Sequence, residues 1–388
     1  MILDEALSSV SGVLAESGRI GPVVGPGRWH VLFGGRQRPL LMPPGTYRLQ
    51  KQWLSYFIGD RLRSAYAQAS LTLNAVLPGV LPNFQPQGAQ DTDRNADVSL
   101  GALAAIQIGT SGPYQKACAL LTSDSGKALA VAKIALVPGA DAMVSSEASW
   151  LRLLEAVEPL AGEVPQLLAE GSLANGRRYL VMSLAPSKLV TTVFTPDHAR
   201  FLTRLGRSRM EVMRFASSPC CEFLERTLAD IAPGLTRDES ATLLDALSDC
   251  RMSLSDYVGP FVLSQGDFAW WNIRVHPGGI FVFDWEYARL GANPLADLFH
   301  FHMIQRAASG RGIGGGFLTN VMWQAERFAR QHYPESKWSA SRISALALAY
   351  LLDVLFHYSR ASGKIDHKEH VMQSYWSLME RRSSWMAM

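Results

Sequence analysis

The stretch from Leu263 to Ala288, LSQGDFAWWNIRVHPGGIFVFDWEYA, holds two short apolar runs separated by a His-Pro-Gly-Gly turn. This pattern predicts a β-hairpin, because Pro and Gly favour a chain reversal and short apolar runs favour strands. Its polar side chains include three acids and an amide, namely Asp267, Asp284, Glu286 and Asn272. Since the two ends of a hairpin meet, we expect these side chains to lie close together on a rigid support.

The spacing of these residues suits a divalent cation. Asp267 is followed by four residues and then Asn272, and a strand separates Asn272 from Asp284. Hard cations such as Mg²⁺ take oxygen ligands and keep part of their water, so an amide, a carboxylate and phosphate oxygens complete a shell. A third carboxylate off the metal can orient a hydroxyl group and accept its proton. Phosphoryl transfer requires this division of labour.

Together, GDFAWWN and FVFDWE resemble the motif of the aminoglycoside phosphotransferase and choline kinase family, which has a protein-kinase-like fold. A Gly-x-x-Pro-x-x-Asp-Leu element follows in that family, and Gly291–Leu298, GANPLADL, fits it. The resemblance implies that Asp267 is the catalytic base. It implies that Asn272 and Asp284 hold Mg²⁺, with ATP as co-substrate. Asp297 would accept hydrogen bonds from the backbone of the catalytic loop.

Glu286, Gln265 and the Trp270-Trp271 pair also lie in this stretch. Glu286 has three open roles: tuning the metal shell, facing the substrate, or capping the next turn. Gln265 stands where the family usually has His; the position braces the catalytic loop, and an amide also donates and accepts, so we expect activity to survive. Trp270 and Trp271 replace a smaller segment and suit either core packing or a stacking wall for the acceptor. We expect one of each, since neighbouring residues of an extended loop point to opposite sides.

A second group of candidates lies nearer the N-terminus. Lys133 is in the third of several strand-like runs, the place of the family's phosphate-binding Lys, and apolar residues flank it on both sides. Glu147 follows fourteen residues later in a predicted helix, and we expect it to hold the ammonium group. Glu155 lies near the far end of the same helix and is the weaker partner.

Between the first two strands lies Gly109-Thr-Ser111-Gly112. Resemblance suggests a loop that covers the nucleotide phosphates, with glycines that permit close backbone approach and a Ser111 hydroxyl that donates. A plain hairpin turn explains the same four residues equally well. The chain has no Gly-x4-Gly-Lys-Ser/Thr segment, which disfavours a Walker-type NTPase.

The distribution of patterns predicts an α+β, bilobal, protein-kinase-like fold with a small antiparallel β-lobe and a larger, mainly helical lobe. We place a nucleotide-binding lobe at 98–185 and a helical lobe with the acceptor site at 186–388. Residues 77–97, rich in Pro, Gln, Asn and Asp, read as a linker. Residues 1–76 form an extension of unknown fold. Within the small lobe we expect strands at 104–108, 116–121, 128–137, 165–168 and 178–184, and a helix at 145–157 capped by Ser145 or Ser146.

The extension contains Leu49, Trp53, Phe57 and Leu62 at helical spacing, with basic residues off that stripe. A helix packed on the main body is one interpretation; a basic helix resting on an anionic membrane surface is the other. The most apolar later run, 345–356, is short for a membrane span and contains an acid. The N-terminus lacks the pattern of a secretory signal.

Composition narrows the partners. The net charge of +3 requires no nucleic-acid partner, and four cysteines without metal-site spacing favour a reduced, cytoplasmic protein. The last third is basic on balance, which slightly favours a neutral or anionic acceptor, such as a sugar, a glycan end or a phosphorylated metabolite. An aminoglycoside or amino-alcohol kinase and a catalytically idle, kinase-shaped binding module remain the alternatives.

Overall fold

The computed structural model describes residues 29–33, 39–42, 50, 53–54, 56, 83–84, 102–123, 126–173, 175–187 and 189–386. They form two compact units. The first holds the described residues up to Ala156 with Gly162–Val190 and Arg274–Pro277, and the second holds Val157–Ala161, Thr191–Ile273 and the described residues from Gly278 onward. Neither unit is therefore one uninterrupted segment of the chain.

The first unit is built on an eight-stranded sheet in the order β3-β1-β2-β4-β5-β6-β8-β7, with antiparallel neighbours throughout. Its strands are β1 (Trp29–Phe33), β2 (Pro39–Met42), β3 (Asn83–Phe84), β4 (Ala102–Ile108), β5 (Lys116–Thr122), β6 (Ala128–Ala135), β7 (Leu167–Ser172) and β8 (Arg178–Ser183). One helix, α1 (Pro138–Glu155), packs against β6 and β8. Buried residues of the central strands, such as Ile106, Ala119 and Ile134, form its core.

Helix α1 begins earlier than the sequence patterns indicate. We expected it to start at Ser145 or Ser146, but its first residue is Pro138 and its N-cap is Val137. Pro suits this position because the first N–H groups of a helix have no intrahelical partner. The earlier start adds about two turns, and it puts Glu147 in the middle of the helix.

The sheet also extends further toward the N-terminus than expected. Strand β2 pairs with β4 through Leu40 and Leu41, so residues placed in a separate extension belong to the first unit. Residues 50, 53, 54 and 56 are helical, and the Trp53 side chain is buried with Leu40 and Met42. Burial of Trp53 favours the packed helix over the membrane-bound one.

Much of that region lies outside the described residues, including Leu49, Phe57, Leu62 and the basic residues 51, 61 and 63. Of the expected linker, 77–97, the structure describes Asn83–Phe84, which forms β3 and pairs with β1. A two-residue strand has no periodicity to detect, which is why the sequence reads as a linker there.

The second unit is mainly helical. Its helices are α2 (Pro196–Ser208), α3 (Pro219–Ile231), α4 (Arg237–Ser253), α5 (Ala296–Ala308), α6 (Gly315–His332), α7 (Ala340–Ser362), α8 (His370–Glu380) and α9 (Arg382–Met386). Strands β9 (Glu211–Arg214), β10 (Val258–Ser264) and β13 (Arg289–Ala292) form one sheet. Strands β11 (Ile273–His276) and β12 (Gly279–Val282) form the hairpin, and the β11 residues from Arg274 onward are grouped with the first unit. An antiparallel β unit and a larger helical unit confirm the α+β class.

Helix α7 is the one described helix that is long and apolar enough to cross a membrane by length and composition, over Ala340–Arg360. Most of this window is buried, at 72%, and α7 packs against α3, α4, α6 and α8. Asp353, the acid in its apolar run, accepts hydrogen bonds from Arg289, whose guanidinium also lies over the Phe223 ring. These contacts are those of a core helix.

An aromatic cluster beside α2 and α5 holds two neutral histidines. The rings of His198 and His302 each lie within 5.4 Å of the Phe194 ring centroid. Burial lowers the pKa of both imidazoles to about 4. For His198, nearby Asp197 opposes this shift and His302 adds to it.

Because both pKa values lie below that of the unfolded chain, we expect acid to destabilise the fold through this cluster. The contribution is complete above about pH 6.5 and is lost as the pH falls through about 4, since the unfolded chain takes up protons first. Each histidine should contribute about 1.4 kcal/mol per pH unit within this window. Urea denaturation of the wild type and of His302→Leu at pH 7 and 4.5 measures the effect. Equal pH dependence in the two proteins would exclude a role for His302.

Candidate active site

A single carboxylate, that of Asp297, fixes the backbone of the loop after β10. Asp297, in the first turn of α5, accepts hydrogen bonds from the Ser264 hydroxyl (2.8 Å), the Gln265 N–H (2.8 Å) and the Gly266 N–H (3.0 Å). Burial raises the pKa of the Asp297 carboxyl, and these hydrogen bonds oppose that shift. The structure thus gives Asp297 the contacts that the family resemblance implies.

Gly266 is required at its position. Its φ of +86° is in the left-handed region, and a Cβ there would lie 2.3 Å from the Tyr287 carbonyl oxygen. Close backbone approach of the loop to the segment after β12 therefore depends on the missing side chain.

Gln265 joins the loop to the end of the hairpin. Its side chain is fully buried, and Nε2 donates to the carbonyl oxygens of Phe283 (3.2 Å) and Asp284 (2.5 Å). Its Oε1 accepts from the Asp267 N–H at 2.8 Å. The amide therefore both donates and accepts, as a bracing residue must.

Two substitutions of Gln265 test whether the loop needs its hydrogen bonds or only its volume. We expect Gln265→His to keep turnover within about tenfold of wild type, because an imidazole can still donate once and accept once. Gln265→Leu leaves buried backbone groups without partners, which should cost about 2–4 kcal/mol of stability and most of the activity. Thermal unfolding and the rate of ADP formation measure both effects. A leucine variant as active as the histidine variant would show that the brace is dispensable.

The Asp267 carboxylate is held at both oxygens. Oδ2 accepts from Asn272 Nδ2 at 2.8 Å, and Oδ1 lies 2.8 Å from His300 Nε2. About a quarter of the side chain stays exposed, so the group is ordered and still reachable. His300 was not among the candidates from the sequence. Its one signal there is its spacing, one helical turn after Asp297 on the same helix.

Asn272 and Asp284 are brought together by the backbone of the hairpin. The Phe283 N–H donates to the Asn272 carbonyl at 3.1 Å, which places the following residue, Asp284, beside it. Asn272 Nδ2 also donates to the Asp267 carbonyl at 3.0 Å, so its two amide hydrogens are in use and Oδ1 is the atom left to act as a ligand. Asp284 has a φ of +69°, a strained conformation that concentrates at functional sites.

The donor set fits a hard divalent cation. Carboxylate oxygens of Asp284 and Glu286 lie within 4.8 Å of one another, and Glu286 is buried. Two carboxylates this close repel each other, and a bound cation offsets that repulsion. With Asn272 Oδ1 they supply oxygen ligands only, which Mg²⁺ prefers. Because Glu286 lies so close to Asp284, a place in the metal shell is the favoured one of its three possible roles.

Aromatic side chains approach the same acids. The Tyr287 ring meets the His357 ring edge to face with centroids 4.5 Å apart, and His357 lies beside Tyr358. Burial raises the pKa of Tyr287, and the charges of Glu286, Asp284 and Asp267 add to this shift. Burial also raises the pKa of Tyr358, with further contributions from Asp267 and Glu369. Each of the three rings stays partly exposed, so they can contact a ligand.

The tryptophan pair differs from expectation. Residues 270–272 form a 3₁₀ turn rather than an extended loop, so the strict alternation of side chains along an extended chain does not apply to them. The Trp270 and Trp271 rings contact each other edge to face, with centroids 5.8 Å apart, and both are partly buried. The premise of an extended loop was therefore wrong, and the acceptor-facing role of either indole stays a prediction.

In the first unit, Lys133 and Glu147 form a buried ion pair. Lys133 Nζ lies 2.7 Å from both carboxylate oxygens of Glu147, and both side chains are almost completely buried. Lys133 is in β6, which has β5 and β8 as its neighbours, so its backbone is rigid. Glu155 instead accepts from the Leu167 N–H at 2.9 Å, which removes it as the partner.

The glycine-containing loop is a hairpin connection between β4 and β5. The Gly109 N–H donates to the Lys116 carbonyl at 2.7 Å, while Ser111 and Gly112 are exposed at its tip. Its Pro113 carbonyl approaches the start of α1 so closely that a Cβ on Gly139 would lie 2.2 Å away. These contacts fit the hairpin interpretation and leave the tip accessible.

A comparison with protein families decides the assignment. The model of the phosphotransferase enzyme family matches residues 119–329, more than half of the chain. The chain belongs to this family. The match runs from β5 to α6 and includes Lys133, Glu147 and the whole hairpin. It confirms the family and the enzyme class expected from the sequence: this phosphotransferase acts on a hydroxyl group, and kinases of its family use ATP and Mg²⁺.

Solved structures of aminoglycoside phosphotransferases resemble the chain at low sequence identity. Aminoglycoside phosphotransferase APH(4)-Ia is 18% identical, with 74% of this chain and 94% of that chain covered and a TM-score of 0.49. The GDP complex of wild-type aminoglycoside 2'-phosphotransferase-IIIa is 14% identical, with coverages of 74% and 94% and a TM-score of 0.45. APH(3'')-Id from Streptomyces rimosus is 16% identical, with coverages of 61% and 89% and a TM-score of 0.39. Among curated proteins, no match was found.

Proposed function

We propose that this phosphotransferase is a small-molecule kinase that transfers the γ-phosphoryl group of ATP to a hydroxyl of a neutral, polyhydroxylated acceptor such as a sugar or glycan end. The observation that carries the proposal is the Asp267 carboxylate, held at both oxygens yet partly exposed. A carboxylate in this state can accept the proton of a hydroxyl that lies against it.

The residue roles follow from the contacts. The acceptor oxygen bonds to the γ-phosphorus, the bond to the ADP oxygen breaks, and Asp267 takes the hydroxyl proton. Asn272 and Asp284 would hold Mg²⁺, with Glu286 beside them; bound there, the cation neutralises charge on the phosphate oxygens. Lys133, kept in place by Glu147, supplies a positive charge for the nucleotide phosphates.

The surroundings of Asp267 argue against an anionic acceptor. The charged neighbours that influence the Tyr287 and Tyr358 hydroxyls are all acids, including Glu286 and Glu369. A second negative charge on the acceptor would be repelled there. The partly exposed rings offer flat apolar faces, which suit the C–H faces of a sugar ring. These local groups are therefore a better guide to the charge of the acceptor than the excess of basic residues in the last third of the chain.

An amino-sugar or amino-alcohol acceptor is the second candidate. The same acids and aromatic rings favour a cation, because ring faces and carboxylates both attract positive charge. Local charge alone gives the two acceptor classes similar support. A matched set of acceptors therefore has to separate them.

Glucose, glucosamine and glucose 6-phosphate form such a set, because they share one ring and differ in one charged group. We expect kcat/KM, measured as acceptor-dependent ADP formation with Mg²⁺-ATP, to be at least about tenfold higher for glucose than for its 6-phosphate. A preference for glucosamine would support the second candidate. A preference for the phosphorylated sugar would contradict both. Thermal stabilisation by Mg²⁺-ATP without turnover on any acceptor would favour the idle binding module.

A further inference from the structure

The structure places a buried chain of hydrogen bonds behind Asp267. His300 Nε2 lies 2.8 Å from Asp267 Oδ1, and the Tyr350 hydroxyl lies 3.2 Å from His300 Nδ1. The Tyr350 hydroxyl also lies 2.8 Å from that of Tyr375. The imidazole and both phenols are buried, so the chain lies in the core of the second unit.

The carboxylate sets the direction of this chain. An ionised carboxylate only accepts, so His300 Nε2 carries a hydrogen, and with a neutral ring Nδ1 is then an acceptor. Tyr350 then donates to Nδ1, and Tyr375 donates to Tyr350. Burial raises the pKa of both phenols, so their hydroxyls keep their protons. Each donor therefore points toward Asp267, as in other sites where a second group sets a histidine tautomer.

Among the described residues that brace the loop, neither Gln265 nor Asn272 donates to Asp267 Oδ1. The Gln265 side chain is occupied by the Asp267 N–H and by two carbonyls, and it does not bond to the Asp267 carboxylate. Asn272 holds only Oδ2. Without His300 the carboxylate would lose its donor at Oδ1 and be held at Oδ2 alone, which restricts rotation about its last torsion less.

We propose that His300 is the positioning residue that orients the Asp267 carboxylate toward the acceptor hydroxyl, with its tautomer set by the Tyr350 hydroxyl. The proposal rests on the role of Asp267 as the base. The first two turns of α5 then perform two tasks: Asp297 fixes the backbone of the loop, and His300, one turn later, fixes the side chain that the loop presents.

Three variants test this with Mg²⁺-ATP hydrolysis, in which water is the acceptor, and with any active sugar from the matched set. We expect His300→Leu to lower kcat about tenfold to hundredfold while the KM for ATP changes less than about twofold, since misplacement of a reacting group affects turnover rather than binding. His300→Gln, whose amide N–H reaches a similar position, should restore most of the loss. Tyr350→Phe should lie between them.

His302→Leu is the matched control. His302 is a half-buried histidine on the same helix whose buried Nε2 atom has no hydrogen-bond partner, so its loss should leave kcat unchanged. Equal kcat in His300→Leu and wild type would overturn the proposal, as would equal losses in the leucine and glutamine variants.

A crystal structure of His300→Leu gives an answer that does not depend on activity. We expect the Asp267 carboxylate to turn away from its wild-type orientation in that variant; an unchanged orientation would overturn the proposal. Failure of the proposed function looks different. In that case Asp267→Asn is as active as wild type, or the wild type does not bind Mg²⁺-ATP.

Discussion

Asp267→Asn should lower kcat about 10²- to 10⁴-fold and leave the affinity for nucleotide within about twofold of wild type, because a general base affects the transition state and not ATP binding. Asn has nearly the same shape as Asp, and its amide oxygen can still accept a hydrogen bond from one of the two neighbours, Asn272 or His300. Loss of turnover with unchanged nucleotide affinity therefore reports the lost proton acceptor. Steady-state ADP formation gives kcat, and calorimetric titration with a non-hydrolysable ATP analogue gives Kd.

The exposed Asp245 in α4 supplies the control. Asp245→Asn removes one negative charge from an exposed position on a helix that supplies no residue to the site, and its kcat should match the wild type. Full activity in Asp267→Asn with an identified acceptor would mean that another group accepts the proton. In that case the whole assignment of the loop after β10 would fail.

Asp284→Asn should abolish the part of nucleotide affinity that depends on Mg²⁺. The carboxylate is replaced by a neutral, weaker ligand, so we expect the Kd for ATP with Mg²⁺ to rise at least about tenfold, close to the value in EDTA. Asn tolerates the left-handed backbone at this position, with its φ of +69°, so the fold should persist. Calorimetric titration with ATP, in the presence of Mg²⁺ and in EDTA, measures both Kd values.

Two further substitutions make this test specific. Asp284→Ala should lose the same Mg²⁺ dependence and also about 1 kcal/mol of stability, because Ala is less tolerant of positive φ. Glu286→Gln should cause a smaller rise in Kd if Glu286 only tunes the metal shell. Unchanged Mg²⁺ dependence in Asp284→Asn would exclude it as a ligand.

The polar positions of the hairpin were predictable because two constraints act on them together. Apolar runs set the two strands, so any acid among them must be tied to a contact or a ligand. The contact between Lys133 and Glu147 was equally predictable from the sequence, because a charged residue flanked by apolar residues in a central strand requires a partner. In both cases a local pattern and a physical need indicated the same residues.

His300 illustrates what local patterns miss. Its partners, Asp267 and Tyr350, are 33 and 50 residues away in sequence. Only its spacing of one helical turn from Asp297 distinguishes it in sequence from His302, two residues later. One imidazole holds the carboxylate, and the other lies in an aromatic cluster. Only the packing of α5 against α7 and α8 separates the two roles.

The tryptophan pair and the N-terminal strands were missed for other reasons. A 3₁₀ turn of three residues has no periodic signature, so the relative direction of Trp270 and Trp271 was inferred from the wrong backbone. Strands β1 and β2 are short. They become recognisable through their pairing, since β1 pairs with β2, and β2 pairs with β4, which lies more than sixty residues later in the chain. Pairing over that distance is a tertiary property.

The central claim is that Asn272 and Asp284 hold the cation that presents ATP to Asp267. The most direct test is a crystal structure with a non-hydrolysable ATP analogue and Mn²⁺, whose anomalous scattering locates the metal. We expect the anomalous peak to lie between Asn272 Oδ1 and the Asp284 carboxylate, with the terminal phosphate facing Asp267. A peak that touches neither residue, or a terminal phosphate turned away from Asp267, would contradict the account.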